Sequence, residues 1–406
     1  MDFEFRDTPK LAEFRKEVRA WLDLHIPMDF EIPDNPHDIL PGSTKYEFIL
    51  KARRALGAKG WLASTWPKEY GGGGLSFEEA AVVESEVVKR PWSRFGVGDF
   101  FPSTITTFGA QLLNLGTEEQ KKRWLPSILR GEIIRWQAYS EPDAGSDIAA
   151  IKTTALRDGD DYIVNGTKVF LGTQYDNADY FSLIAITDPK APRRRNVGLF
   201  FVPTNLQGIS KAWLPLMRNC HSSGWQIFFD NVRVPVEYLI GGHENATNAW
   251  RSMRETAVHG ANRPIVIPIR DRGQEFVLDY VSKTKRDGQL LSQDPDVRDA
   301  LVETEIQLEV RRIFALRQDW MTIADKRLEG YEGPQSAVYG KVAEEEQANA
   351  YFDILGPAVL MKDPEWALYE GNMEYQHFVP VAMASAGMTQ EVSKMLLARS
   401  ACKVGD

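Results

Sequence analysis

A chain of 406 residues is longer than one hydrophobic core usually spans, so two or three subdomains are expected. With 43% hydrophobic and 26% charged residues, the composition is that of a globular protein and excludes long disorder. A formal net charge of -9 excludes a general attraction to nucleic acid or anionic lipid, so an anionic ligand must be held by a local basic patch or by backbone N–H groups. Two distant cysteines, Cys220 and Cys402, form no C-x-x-C or Cys/His metal spacing, and no metal site is expected. A disulfide framework is not expected, and a reducing, cytoplasmic setting is. The opening MDFEFRDTPK is charged and does not read as a signal peptide, and no apolar run reaches membrane-spanning length.

In chain order, Leu11, Phe14, Val18, Trp21 and Leu22 mark one face of a helix over 8–25, with Asp7 or Thr8 as cap and Pro9 in the first turn. Helical patterns continue at 44–59, 76–90 and 117–130. The four glycines at 71–74 lack a following Lys-Ser/Thr, so they read as a hinge before a helix and not as a phosphate loop. From about Trp136 strand-like runs appear: Tyr162–Val164, Lys168–Phe170, Tyr180–Ile186, Val197–Val202 and Gln226–Phe229. Asn165-Gly166 carries the signal of a two-residue hairpin, and Asp158-Gly159 that of another turn. These strands predict a small barrel or sandwich. From about residue 245 the helical period returns, over 268–286, 296–328, 335–354 and 388–401. The expected division is an N-terminal helical domain (1–132), a central β domain (133–242) and a C-terminal four-helix bundle (243–406), an α+β architecture.

The segment from Tyr139 to Asp147, YSEPDAGSD, lies where helices give way to strands. It resembles the (T/S)-E-P-x-A-G-S-D signature of the acyl-CoA dehydrogenase family. Gly116-Thr117-Glu118-Glu119-Gln120-Lys121 is similar to the family's G-T-x-x-Q-K, Asn165-Gly166-Thr167-Lys168 to its hairpin, and Asp230–Pro235 to its F-x-x-V-x-V-P strand end. Gly387–Val392, followed by Leu396-Leu397-Ala398-Arg399, resembles G-T-x-E-I…I-I-A-R. The resemblance covers essentially the whole chain. It implies a flavin enzyme, with FAD as cofactor, that acts on acyl-CoA thioesters.

The resemblance also implies roles for single residues. By it, Tyr139, Ser140 and Ser146 lie along the flavin and the adjoining CoA pyrophosphate. Phe170 stands where the family packs a Trp on the isoalloxazine, though it also reads as a plain strand core residue. Gly172 stands where a Thr bonds flavin N5, with Thr173 beside it. Thr389 and Glu391 match the loop that meets the FAD adenosine half. Arg263, before Pro264, matches a helix beside the CoA, or is a surface Arg. The run Arg193-Arg194-Arg195 is a solvated turn or meets the CoA 3′-phosphate.

Departures from the pattern bear on the reaction. Dehydrogenation needs a carboxylate that removes the α-proton. The family's two positions for it hold Gly387 and Asn262, and neither is a base. Glu370, in Tyr369-Glu370-Gly371, imitates the family's Y-E-G-T but lies too early in the chain. Asp99, in the apolar stretch Gly98–Phe101, is the other candidate. An Arg in R-x-x-F-G and a later Gln normally clamp FAD from a second subunit, and here Thr284 and Arg298 stand there. Three readings are open: a dehydrogenase of a cyclic or bulky acyl-CoA; a partner-dependent subunit of a heteromer; and a flavin monooxygenase or oxidase on the same fold. An electron-transfer flavoprotein is the usual acceptor, and a homo- or hetero-oligomer is implied.

Overall fold

The computed structural model describes residues 7–28, 42–90, 103–172, 178–214, 216, 224–250, 272–324, 330–361, 363, 365–371, 373, 374, 377, 378, 380 and 389–403. Two compact units result. One comprises Glu13–Ile32 and Ile39–Arg263, the other Met1–Ala12, Pro33–Asp38 and Pro264–Asp406.

Helix α1 (Pro9–His25), which belongs to the first unit from Glu13 onward, and α2 (Thr44–Ala58), α3 (Phe77–Val87), α4 (Ala110–Leu115) and α5 (Glu118–Leu129) of that unit precede the sheet. Their starts obey local rules. Ser76 with Glu79, and Thr117 with Gln120, form reciprocal capping boxes, so each helix begins where its sequence satisfies the first free N–H groups. Glu86 on α3 is buried and gathers Arg15, Arg19 and Lys89, each at 2.8 Å. Burial would push its carboxyl up, but these three cations outweigh it and bring the pKa down to about 2. The pattern at 103–115 carried no sequence expectation. There a π-type turn, Ser103–Gly109, runs into α4 and buries Phe108 and Leu112 completely.

The glycines at 71–74 are a packed strap rather than a hinge. Gly72, Gly73 and Gly74 donate to the carbonyls of Pro67, Ala63 and Trp66. A Cβ on Gly72 would lie 2.4 Å from Trp66 O, so only glycine allows the two backbones to approach this closely.

Strands β1 (Arg135–Ala138), β2 (Thr154–Asp158), β3 (Asp161–Leu171), β4 (Tyr180–Ile186), β5 (Val197–Pro203), β6 (Ile209–Trp213) and β7 (Trp225–Pro235) form one sheet. Its order is β1-β4-β2-β3-β7-β6, with β5 paired to β4. Alternation along β5 assigns its two faces. Phe201 packs on Phe108 (4.3 Å between centroids) and Trp124 (5.3 Å), on the helical side. Phe200 meets Tyr162 (5.2 Å) inside the curl of the sheet. Gln120 fastens α5 to the sheet end: its Nε2 donates to Glu237 O and Leu239 O, and its Oε1 accepts from Gly241 N.

Asn165-Gly166 is not a hairpin turn. Strand β3 runs straight through it, and both halves pair with β7 across a bulge between Val164 and Gly166. Gly166 has φ 149°, and a Cβ there would meet Thr153 Oγ1 at 2.3 Å. The hairpin lies at Asp158-Gly159, where Asp158 pairs with Asp161.

The second unit holds α6 (Arg272–Lys283), α7 (Pro295–Ile323), α8 (Glu332–Leu355) and α9 (Gln390–Cys402). The first ends before the expected residue 286 because β8 (Lys285–Arg286) turns back onto β9 (Gln289–Leu290) through Asp287 and Gly288, both at positive φ. Val277, Val281, Leu291, Tyr351, Ile354 and Leu355 form its apolar core. Further along, α7 buries Thr304, Gln307 and Asp319, while Val302, Ile306 and Ile313 are exposed. Gln307 donates to Glu346, and Arg311 pairs with Glu344. Among the described residues no helix is long and apolar enough to cross a membrane.

Candidate flavin and thioester site

The site begins where β1 ends. Glu141 and Ala144 exchange backbone hydrogen bonds and close a tight turn over Pro142-Asp143. The turn is held from beneath by its own glutamate. Glu141, 7% exposed, accepts from Lys152 N (2.6 Å), Thr153 N (2.9 Å) and Lys168 Nζ (2.8 Å). Lys168, fully buried on β3, also donates to Tyr139 O at 3.0 Å. Burial pushes the Lys168 ammonium down to about 8, and Glu141 opposes that shift. Burial raises the Glu141 carboxyl, but Lys168 and the N–H donors outweigh it and hold it below the carboxylate range. The pair is charged near neutrality. With Val169 N donating to Ser140 O (2.9 Å), it fixes the turn to the end of β3.

That strand end is where the expected flavin contacts gather. Phe170 (φ 62°) and Gly172 (φ 59°) both adopt the left-handed conformation. The effect is to turn Phe170 outward, 53% exposed, while Val169 and Leu171 on either side are buried. Gly172 lies against the Trp136 indole: a Cβ there would fall 2.1 Å from Trp136 Cε2. The space that a side chain would need at 172 is filled from β1. Trp136 stacks on Trp225 (6.3 Å, 16°), and Lys211 sits over both rings. An outward aromatic face beside a half-buried Ser140 suits a flat, partly polar ring. Tyr139 is 6% exposed, and its hydroxyl donates to Gln111 Oε1 at 2.8 Å inside the core.

Ser146 is exposed on the far side of the turn. Gly145 before it has an ordinary backbone, and a Cβ there would meet nothing within 4 Å. The arginine run lies in the β4–β5 loop. Arg193 donates to Ala149 O (2.9 Å) and pairs with Asp147 (2.6 Å), and Arg194 lies over Trp250 (5.2 Å).

Two family descriptions match the sequence: "Acyl-CoA dehydrogenase, N-terminal domain" over residues 8–132, and "Acyl-CoA dehydrogenase, middle domain" over 137–232. The acyl-CoA dehydrogenase FadE26 of Mycobacterium tuberculosis is 30% identical over 96% of both chains. The chain belongs to the acyl-CoA dehydrogenase family. Among solved structures, the Tcur3481-Tcur3483 steroid ACAD matches 100% of both chains with TM-score 0.77 and 28% identity. The ChsE4-ChsE5 complex from Mycobacterium tuberculosis matches 99% of this chain and 100% of the other with TM-score 0.78 and 26% identity. The protein is thus an oxidoreductase of a flavin-dependent family, with the family's helical N-terminal domain, curled β middle domain and helical C-terminal region.

Of the other positions expected to matter in an acyl-CoA dehydrogenase, Asp99, Thr173, Arg263, Asn262 and Gly387 lie outside the described residues. The backbone of Glu370 is in the short turn Leu368–Gly371 of the second unit, whose Tyr369 stacks on Phe276 (4.9 Å, 13°). Thr389 caps α9, accepting from Val392 N, and Glu391 is exposed in its first turn. Its own backbone N–H and the Thr389 hydroxyl hold the Glu391 carboxyl below the usual range. At the expected clamp, Arg286 donates to Ile354 O within its own unit, and Arg298 is exposed. The sequence reading missed Lys168 and Trp136. The signal for Lys168 was present: a lysine inside an apolar strand, with an acidic residue in the preceding turn, asks for a buried pair.

Proposed function

We propose that this chain carries out flavin-dependent α,β-dehydrogenation of an acyl-CoA thioester whose acyl group is cyclic or otherwise bulky. The observation that carries this reading is the full-length likeness to the steroid ACAD, at 28% identity over the whole of both chains. FAD, when bound, supplies the hydride acceptor. Phe170 offers its outward ring to the flavin, with Gly172 and Thr173 beside it. Ser140 and Ser146 offer hydroxyl donors along the signature turn, held in place by Glu141 and Lys168. Tyr139 supports from below. Thr389 and Glu391 meet the adenosine half of FAD, and Arg263 lies beside the CoA. Asp99 is the preferred base for the α-proton, with Glu370 as the second candidate. An electron-transfer flavoprotein takes the electrons.

A second reading has a specific observation behind it. Val302, Ile306 and Ile313 stand exposed along α7, spaced as one stripe on the side away from the buried Val297, Thr304 and Ala315. We infer an oligomer in which another chain covers this stripe. The likeness to the ChsE4-ChsE5 complex supports a related partner, which would complete the flavin clamp that Thr284 and Arg298 do not reproduce.

The visible spectrum of the protein expressed alone separates the two. One FAD per chain, bleached anaerobically by a cyclic acyl-CoA, supports the autonomous dehydrogenase. Asp99→Asn and Glu370→Gln then locate the base by which one abolishes bleaching. Colourless protein that cannot be reconstituted sinks autonomy and directs the search to the partner. Rapid reoxidation by air with product oxygenation would overturn the dehydrogenase reading.

A further inference from the structure

We propose that Lys168 is a positioning residue for the flavin: its ammonium clasps the signature turn to the end of β3, and FAD is held by the protonated form of this clasp. The proposal rests on the reading of FAD as cofactor, and adds to it a proton on which cofactor retention depends.

The clasp joins three consecutive residues of the turn to two of the strand. Lys168 Nζ donates to Tyr139 O at 3.0 Å and to Glu141 Oε1 at 2.8 Å, so it holds the chain on both sides of Ser140. Val169 N donates to Ser140 O at 2.9 Å, and Phe170 follows directly with its ring outward. Ser140 and Phe170, two of the proposed flavin contacts, come from different segments of chain, and Lys168 ties those segments together. It is fully buried, so no solvent replaces its proton when that proton leaves.

Glu141 makes the protonation state matter. Its Oε2 accepts from Lys152 N, and its Oε1 from Thr153 N and Lys168 Nζ. Facing an ammonium, the carboxylate is a buried ion with its counterion. A neutral amine still has N–H bonds to give, but it leaves Glu141 a buried charge held by backbone donors alone. Among the described residues no other cation takes over. Strand β7 presents Ile227 opposite Lys168, the Lys152 ammonium turns outward to Asp143, and the buried Arg135 on β1 acts on Tyr139.

The direction with pH follows. Burial lowers the Lys168 ammonium to about 8, against the attraction of Glu141. The folded chain gives up this proton as the pH rises through that value, and the unfolded chain keeps it to higher pH. From this group alone, stability against unfolding rises with pH over the same window, because the unfolded state binds the extra proton. FAD affinity runs the other way: it is full below the transition and falls above it. A loss of FAD there is therefore no sign of melting.

The test is flavin-fluorescence titration of the full-length chain with FAD from about pH 6.5 to about pH 9, with deuterium exchange of segments 139–146 and 168–171 measured without FAD and corrected for the intrinsic rate at each pH. Wild type should bind FAD roughly tenfold more weakly at the alkaline end, since about one molecule in ten then keeps the competent form. Glu141→Gln keeps an acceptor for Lys168 but removes the charge that retains its proton, so the fall should move to lower pH. The Glu141→Gln/Lys168→Met double variant has no proton to lose there, and its affinity should be weaker but flat. A residue that only props the turn would give a loss equal at every pH. A wild-type affinity flat across the range, a fall at the same pH in Glu141→Gln, or a fall that survives in the double variant would overturn the proposal and leave the flavin reading intact. If the chain takes up no FAD at any pH, autonomous flavin binding fails and exchange decides. Protection that drops above about pH 8 in wild type, and at lower pH in Glu141→Gln, sustains the clasp, whereas protection indifferent to pH overturns it.

Discussion

The curled sheet and the C-terminal helices solve burial in opposite ways. In the sheet, Val164, Leu183, Phe200, Phe201, Val202 and Ile227 have no exposed surface, and the buried Glu141 and Lys168 satisfy each other. On α7 the buried face is mixed, with Val297 and Ala315 beside Thr304, Gln307 and Asp319, while Ile306 and Ile313 are exposed. A sheet curled on itself supplies both faces of its core from one stretch of chain. The exposed stripe of such a helix gains apolar contacts only when another surface covers it. The sheet thus hides its apolar side chains within its unit, whereas α7 leaves a stripe of its own uncovered, the stripe to which the proposed partner is assigned.

Four experiments break or sharpen this contrast. The largest effect is expected from Lys168→Met, which strands Glu141 in the core. Urea denaturation should show a loss of about 3–5 kcal/mol, with part recovered in the Glu141→Gln/Lys168→Met double variant. Gly172→Thr should cost about 1–3 kcal/mol, because the new Cβ must displace Trp136. The thermal midpoint should fall and the tryptophan emission should shift; a native emission spectrum would contradict the packing described. Phe170→Ala removes an exposed ring, so folding stability should stay within about 0.5 kcal/mol of wild type. Its FAD affinity, measured by flavin fluorescence, should nevertheless fall roughly fivefold, the worth of one aromatic contact. The smallest stability effect, under about 0.5 kcal/mol, belongs to Ile306→Lys with Ile313→Lys. The same pair should shift the mass by light scattering from oligomer to smaller species, and an unchanged mass would refute the docking role of α7.

These regions also differed in how far their residues announced them. Helix starts were legible because a capping box is a local device: Ser76 with Glu79, and Thr117 with Gln120, need no distant partner. The strands Tyr180–Ile186 and Val197–Pro203 were legible as apolar runs. Edge strand β6 was not, since Ser210, Lys211 and Ala212 face solvent and carry no pattern. Asn165-Gly166 misled because its turn preference is local, whereas β7 offers partners to both halves of β3 and the longer ladder prevails. The bond from the Tyr139 hydroxyl to Gln111 on α4 was not legible either, because it spans 28 residues of chain. The signature turn itself was legible as a motif, and Lys168 was legible as a lysine in need of a buried acid, but its pairing with Glu141 was not, because that contact spans 27 residues of chain.

Gly145 remains, in the middle of the signature turn, with open space where its side chain would be. Its neighbours in kind, Gly72, Gly73 and Gly166, are each pressed against backbone or side chain. A library of variants sorted for folding alone would therefore hold glycine at those three positions and accept alanine or serine at 145. Sorted again for flavin retention, the same library would report how close a guest comes to the turn. Any bias toward glycine that appears only in the second sort is the footprint of that guest.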